Sequence, residues 1–136
     1  MPVLRVAATT DNLSKVTDFV DAPLAQCGTD SKIRMQIRLA VEEVFVNISS
    51  YAYDSGSGEA EIEYEMLHDP ERIRITFTDS GEPFDPLEKE DPDLSEEGLL
   101  GRVGGLGIFL VKNTMDKIEY ERKNNKNVLT AEKNIG

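Results

Sequence analysis

The stretch DSGEPFDP at residues 79–86 directly follows a segment, residues 73–77, in which apolar and polar residues alternate. This alternation predicts a strand with one buried face, so Asp79 should lie at a strand end. An aspartate in that position can present its carboxylate to a cleft, because Gly81 lets another backbone pass close by. The same residue types also form ordinary turns, and this stretch alone leaves both interpretations open.

The chain before this stretch predicts one strand and two helices. Residues 3–8 alternate as a strand does, and cap residues at 11–14 and Gly28 bound a first helix. The second helix begins near Asp30 and runs to about Tyr53, and we expect its middle, residues 39–48, to be buried on two faces. Its apolar positions recur every three or four residues, at Ile33, Ile37, Ala40, Val44, Ile48 and Tyr51. Tyr51 and Tyr53 are interpreted as ordinary core residues.

The rest of the chain predicts two hairpins separated by a long loop and a short helix. The segments 62–66 and 73–77 form the first hairpin, and 117–122 and 127–133 form the second. A helix begins at Leu106, after a loop that is rich in glycine, proline and acids. We therefore predict a single α+β domain over residues 1–136, a two-layer sandwich with helices on one face of a mixed, mostly antiparallel sheet.

Composition narrows the classes of function. The chain has 136 residues, with 15 Lys+Arg against 26 Asp+Glu and a net charge of -11. Binding to phosphates needs a basic patch, so direct nucleic-acid or membrane-surface binding is disfavoured, and no apolar run approaches the roughly 20 residues of a membrane span. The one cysteine, Cys27, excludes a disulfide framework and fits a cytoplasmic protein. We expect a buried, inert thiol there.

Two polar residues interrupt the apolar middle of the second helix. Glu43 and Asn47 are four residues apart and therefore share one helix face. A buried carboxylate or amide is costly unless it is paired, so such residues tend to have a specific role. The alternative is a glutamate at the helix edge and a satisfied core amide.

A cluster of glycines at residues 98–107 leads into the last helix. Glycines before a helix expose backbone N–H groups, and the helix dipole favours an anion there. The spacing matches neither the P-loop nor the dinucleotide-binding fingerprint. A flexible hinge is the alternative interpretation.

In combination, these features resemble the ATP-binding fold of the GHKL superfamily. Their order is Glu-x-x-x-Asn on a helix, Asp-x-Gly after a strand, an acidic loop, and Gly-x-Gly entering a helix. The stretches 79–86 and 104–116 are most similar to the small anti-sigma-factor serine kinases of the RsbW/SpoIIAB type. The resemblance covers most of the chain.

The resemblance implies ATP and Mg²⁺ as ligands and gives each motif residue a role. Asn47 would bind Mg²⁺ against the phosphates, and Asp79 would accept a hydrogen bond from the adenine amino group, with the base approaching the backbone at Gly81. Gly105 and Gly107 would face the phosphates, and residues 87–104 would form the ATP lid. Glu43 would be the general base for phosphoryl transfer.

The resemblance also implies partners. The chain would bind a sigma factor and phosphorylate a serine or threonine of a small anti-anti-sigma protein of the STAS type, as a cytoplasmic homodimer that regulates transcription. An acidic surface suits a basic partner such as a sigma factor, because charge complementarity speeds encounter.

Two departures from the family pattern support a rival hypothesis. No Gly-Thr stands at the start of the last strand; Asn127 or Thr130 could replace it, but neither is assigned to the site. An arginine that is common in the family has a near match in Arg102. The predicted lid is strongly acidic, which would repel a triphosphate. The alternative function is a non-catalytic, nucleotide-dependent switch of a protein interaction. A third hypothesis keeps the fold without ATP, but the intact motif residues argue against it.

Overall fold

Five strands and three helices make up the described part of the chain, residues 1–53, 58–88 and 106–136 of a computed structural model. In chain order the elements are β1 (Val3–Ala7), α1 (Leu13–Gln26), α2 (Ser31–Tyr51), β2 (Glu59–Leu67), β3 (Arg72–Asp79), α3 (Leu106–Thr114), β4 (Lys117–Lys123) and β5 (Lys126–Asn134). Short 3₁₀ turns stand at Thr10–Asn12 and Pro86–Glu88. No helix within these ranges is long and apolar enough to cross a membrane.

The strands form one sheet in the order β1-β2-β3-β5-β4, and all four pairings are antiparallel. The predicted α+β fold is confirmed, and the sheet is more uniform than the mixed sheet that was expected. Both hairpins have tight connections, which require antiparallel strands. In the β4–β5 turn, Asn124 and Asn125 adopt positive φ angles of 53° and 61°, a conformation that asparagine tolerates well.

One face of the sheet packs against the helices and forms the core. On β3, buried residues alternate with half-buried ones, as a strand with one covered face requires. Burying each large apolar side chain contributes about 1.5–3 kcal/mol. The largest fully buried side chains include Phe45, Phe77, Leu24, Ile37, Ile62, Ile73 and Ile75.

Polar contacts fix the position of α2 beside α1. The Asp30 side chain accepts a hydrogen bond from the Lys32 backbone N–H, 3.1 Å away, and caps the helix where the sequence predicts its start. Arg34 on α2 donates to both carboxylate oxygens of Asp21 on α1, at 3.0 and 2.7 Å. This hydrogen bonding holds the pKa of Asp21 below its usual value.

The opposite face of the sheet carries a row of alternating charges. The strand register places Glu65, Arg74, Glu132 and Lys117 side by side on β2, β3, β5 and β4. Glu132 accepts hydrogen bonds from Arg72 at 2.8 Å and from Arg74 at 3.1 Å. Burial raises the pKa of Glu132, but the two arginines outweigh it, so that the pKa lies below its usual value.

Three expectations about burial are wrong. Leu39 on α2 is half exposed, because α2 contacts α1, α3 and the sheet but leaves its remaining side open. The helix ends at Tyr51, and that side chain is also half exposed, stacked on Phe84 with ring centroids 5.0 Å apart. Cys27 is exposed because it follows the last turn of α1, where no element of the described residues covers it.

Candidate functional site

The register of β3 and β5 places two buried polar side chains directly opposite each other. Asp79 pairs with Asn127 at the end of the two strands, and each is only 6% exposed. Both follow the inward alternation of their strands, so they lie on the face that is covered by the helices. The pleat of the sheet therefore points both side chains toward α2.

The Asn127 amide connects three parts of the structure. Its Nδ2 donates to Asp79 Oδ1 at 2.9 Å and to the Glu82 carbonyl at 2.7 Å. Its Oδ1 accepts from the Phe84 backbone N–H at 3.3 Å and from the Tyr120 hydroxyl. Strands β3, β4 and β5 and the loop after Asp79 are thus joined by one side chain.

The loop after Asp79 lies against the end of α2. The Gly81 N–H donates to Asp79 Oδ1 at 3.0 Å, and the Glu82 N–H donates to the Ala52 carbonyl at 2.7 Å. A Cβ atom added to Gly81 would lie 2.0 Å from the same carbonyl oxygen. Arg122 on β4 donates to the Gly81 carbonyl at 2.8 Å. The close backbone approach expected at Gly81 is present.

These residues border a pocket between α2 and the sheet. Its cavity volume in this structure is about 30 Å³, which is below the roughly 300–1,000 Å³ of small-molecule sites, so a ligand would have to widen it. Its polar groups come from Asp79, Asn47, Asn127 and Tyr120. Its apolar lining consists of Val44, Ile48, Ala52, Phe77, Phe84, Pro86 and Leu129. In the described part of the chain, no donor bonds to Asp79 Oδ2, so this oxygen has spare acceptor capacity.

Glu43 and Asn47 occupy one half-buried face of α2, next to the start of α3. The Asn47 Nδ2 donates to the Glu43 carbonyl at 2.9 Å, and no donor of the described residues bonds to Asn47 Oδ1, an oxygen that could serve as a ligand. A Cβ atom added to Gly107 would lie 1.8 Å from Glu43 Oε2, so this carboxylate and the start of α3 are in contact.

The structure thus brings Asp79 and Asn47 to one pocket, places Gly81 in the loop beside it, and brings Glu43 to Gly107. Gly105 lies outside the described residues, as does the predicted lid at 87–104 apart from its first two residues. The roles assigned to all these residues stay predictions.

Sequence reasoning named Asn127 and Thr130 as residues that could replace the missing Gly-Thr but assigned neither to the site, and the structure places them on different faces of the sheet. Asn127 lies in the pocket, whereas Thr130 lies on the opposite, charged face beside Glu132. Alternation with Leu129 and Ala131 was the available signal, because it places Asn127 on the inward face. Tyr120 and Phe84 were missed altogether. Burial raises the pKa of Tyr120, which therefore remains a hydrogen-bond donor at neutral pH.

The described chain is thus a five-stranded antiparallel sheet covered by helices on one face, with a pocket beneath the second helix. Residues 6–133 match the family described as the histidine kinase-like ATPase domain, and the chain belongs to this family. This membership supports the expected use of ATP.

Sequence relatives are named serine-protein kinase RsbW. The chain is 35% identical to the one from Halalkalibacterium halodurans over 96 residues, which cover 62% of this chain and 53% of the relative. It is 28% identical to the one from Staphylococcus aureus JH9 over 121 residues, which cover 85% of this chain and 75% of the relative. The chain thus spans about half to three quarters of the relatives' lengths.

Solved structures share the fold at lower sequence identity. The RsbU and RsbW domains of a Mycobacterium tuberculosis protein match 99% of this chain and 33% of the other, with a TM-score of 0.62 and 16% identity. The histidine kinase domain of an Erythrobacter litoralis blue-light-activated kinase matches 92% of this chain and 60% of the other, with a TM-score of 0.57 and 17% identity.

Proposed function

We propose that this chain binds Mg-ATP in the pocket between α2 and the sheet. We further propose that it acts as an anti-sigma factor and transfers phosphate to a serine or threonine of an anti-anti-sigma protein. The observation that carries the proposal is the buried Asp79 carboxylate: two donors hold its Oδ1, and among the described residues no donor bonds to its Oδ2. The relatives named serine-protein kinase support the activity.

The adenine ring suits the chemistry of the pocket. Its flat apolar faces match the Val44, Ile48 and Leu129 side chains, and its exocyclic amino group is a donor that an ionised aspartate accepts well. In guanine a carbonyl replaces that amino group and would meet Asp79 as a second acceptor. The pocket therefore favours adenine.

Magnesium fits the residues next to this pocket. The Asn47 Oδ1 is a hard amide oxygen, the type of ligand that Mg²⁺ accepts, and its orientation is set by the hydrogen bond from Nδ2 to Glu43. Among the described residues, no cluster of three or more His, Cys, Asp or Glu could hold a metal ion. Magnesium bound here would therefore be shared between Asn47 and phosphate oxygens, whose negative charge it would neutralise.

Glu43 is the proposed general base, and Gly105 and Gly107 the proposed phosphate-facing glycines. In the reaction, the partner's hydroxyl oxygen attacks the γ-phosphorus, the bond from that phosphorus to the β,γ-bridging oxygen breaks, and ADP leaves. The hydroxyl proton passes to a Glu43 carboxylate oxygen. Positioning and charge neutralisation supply most of the rate enhancement in such transfers.

The proposed partners are a sigma factor and a STAS-type anti-anti-sigma protein, with the chain as a cytoplasmic homodimer. The net charge of -11 supports a basic partner, since opposite charges accelerate association. One domain over residues 1–136, with a lid at 87–104, is part of this proposal.

A second candidate function is a nucleotide-dependent interaction switch without phosphoryl transfer. The acidic composition of residues 88–97 and the absence of Gly-Thr before the last strand favour it. Measured ATP binding without transfer to any cognate partner would select it over the kinase.

The first prediction concerns the nucleotide. Calorimetric titration with ATP should give magnesium-dependent binding, and Asp79→Asn should abolish it, because an amide in that position can turn its NH₂ group toward the adenine amino donor. Asp18→Asn is the matched control, because Asp18 is an exposed carboxylate on α1, and this variant should bind as the wild type does. Absence of wild-type binding at millimolar ATP would overturn the proposed function.

The second prediction concerns the transfer step. Glu43→Ala should retain ATP binding but lower the rate of phosphate transfer to the cognate partner by about 10²–10⁴-fold, the usual contribution of a general base. Glu42→Ala, at the neighbouring position of α2, should transfer at close to the wild-type rate. Labelled γ-phosphate measures both rates. Wild-type transfer by Glu43→Ala would show that the assigned role is wrong.

A further inference from the structure

We infer that Asn127 is a positioning residue that orients the Asp79 carboxylate toward the base, and that it makes no hydrogen bond to the nucleotide itself. This inference rests on the proposed function. In this arrangement a side chain of β5 fixes the hydrogen-bond acceptor Asp79. The family pattern has a Gly-Thr near the phosphates at the start of this strand.

The hydrogen-bonding capacity of Asn127 is fully used inside the protein. A primary amide offers two N–H donors and two carbonyl lone pairs. The two donors bond to Asp79 Oδ1 and the Glu82 carbonyl, and the two lone pairs accept from the Phe84 N–H and the Tyr120 hydroxyl. No group of this side chain remains to bind a ligand.

The effect on Asp79 follows from the placement of the donors. Both the Asn127 amide and the Gly81 N–H donate to the same oxygen, Oδ1, at 2.9 and 3.0 Å. Two donors on one oxygen fix the rotation of the carboxylate, and charge-assisted hydrogen bonds of this kind are stronger than neutral ones. The second oxygen is left to accept from the adenine amino group.

Asn127 also fixes the loop that forms one wall of the pocket. It bonds to Glu82 and Phe84 two residues apart, and the Phe84 ring stacks on Tyr51 of α2. Loss of the amide would release the carboxylate and the loop together.

Asn127→Asp tests this arrangement through its pH dependence. The introduced carboxyl group would lie at hydrogen-bond distance from Asp79, and two such groups share one proton, because the pKa of one of them is strongly raised. In its protonated form, the introduced group can donate to Asp79 Oδ1 as the amide does. Besides Asp79, the titratable or charged groups around this position are Tyr120, which bonds to Asn127, Arg122, which lies opposite it on β4, and Asp85, whose charge acts on Tyr120.

The experiment compares Mg-ATP affinity with that of the wild type at pH 8 and at pH 5.5, so that the titration of ATP itself cancels. Asn127→Ala should bind about tenfold to a hundredfold more weakly at both pH values, as expected for a lost hydrogen bond to a charged group. Asn127→Asp should show at least that loss at pH 8 and recover most of it at pH 5.5. Asn127→Thr, whose hydroxyl can donate one hydrogen bond, should lie between alanine and wild type.

Asn134→Asp, an exposed position on the same strand, is the control and should show no loss at either pH. Thermal unfolding confirms which variants are folded, and Asn127→Thr carries the test where Asn127→Asp is unfolded at pH 8. Wild-type affinity in Asn127→Ala, or a loss in Asn127→Asp that does not change with pH, would overturn this inference alone. Absence of Mg-ATP binding by the wild type would overturn the proposed function and this inference with it.

Discussion

Gly81 shows how the absence of one side chain determines the course of a loop. The chain turns after Asp79 so closely against α2 that the Ala52 carbonyl accepts a hydrogen bond from Glu82 and also occupies the space of a Cβ atom at residue 81. A carbonyl of the backbone cannot rotate away as a side chain can. Any residue other than glycine must therefore displace either the loop or the end of the helix.

Replacement of Gly81 by alanine should consequently destabilise the protein and weaken ATP binding together. We expect a loss of about 1–3 kcal/mol in the free energy of unfolding, typical of an inserted methyl group in a packed site, measured by urea denaturation. Gly136→Ala is the comparison, because the nearest atom to its added Cβ is 3.2 Å away on the Glu71 side chain. A change below about 0.5 kcal/mol in Gly81→Ala, within the range of ordinary surface substitutions, would contradict the packing described.

At the residue scale, residues of the site could be predicted where they interrupt a local pattern, and were missed where their role depends on a distant partner. Asp79 and Gly81 stand out because they interrupt a regular strand. The importance of Asn127 depends on a partner 48 residues away, and no local pattern carries that information. Cys27 was predicted to be buried but is exposed, because the pattern of an amphipathic helix does not show whether another element covers its last turn.

The row of charges across the sheet belongs to the scale of whole elements. Glu132 on β5 joins Arg72 and Arg74 of β3, and its side chain is only 14% exposed. Removal of one partner of a largely buried ion pair leaves the other charges uncompensated, and this costs more than the loss of an exposed pair.

Glu132→Gln should therefore lower the free energy of unfolding by about 1–3 kcal/mol at pH 7. The pKa of Glu132 is lower in the folded state than the usual 4.5, so its contribution is fully present above that value and is lost as the pH falls through the folded-state pKa. The difference between the wild type and the variant should shrink below about pH 4.5.

Urea denaturation at pH 7 and at pH 3 measures this difference. Glu119→Gln is a matched control on the edge strand β4, where the side chain is 66% exposed, and it should change stability by less than about 0.5 kcal/mol. If wild type and Glu132→Gln differed in free energy of unfolding by the same amount at both pH values, the ionised Glu132 carboxylate could not be the source of the difference.

At the scale of the whole molecule, the chain order of helices and strands could be predicted but the arrangement of the strands could not. Periodicity identified every helix and strand of the described chain, because each element buries one face and repeats with its own period. The order β1-β2-β3-β5-β4 brings the last strand beside β3, and this choice depends on long-range pairing. The pocket forms at that β3–β5 junction, so its full set of residues emerges only in three dimensions.

The hydrogen bonds of Asn127 also determine whether the loop at residues 79–84 is ordered by folding or by ligand binding. They are made entirely by groups of the chain itself, so the conformational entropy of ordering residues 79–84 is part of the cost of folding. A base that enters this end of the pocket meets a preorganised template, and little of its interaction energy is consumed in shaping the loop.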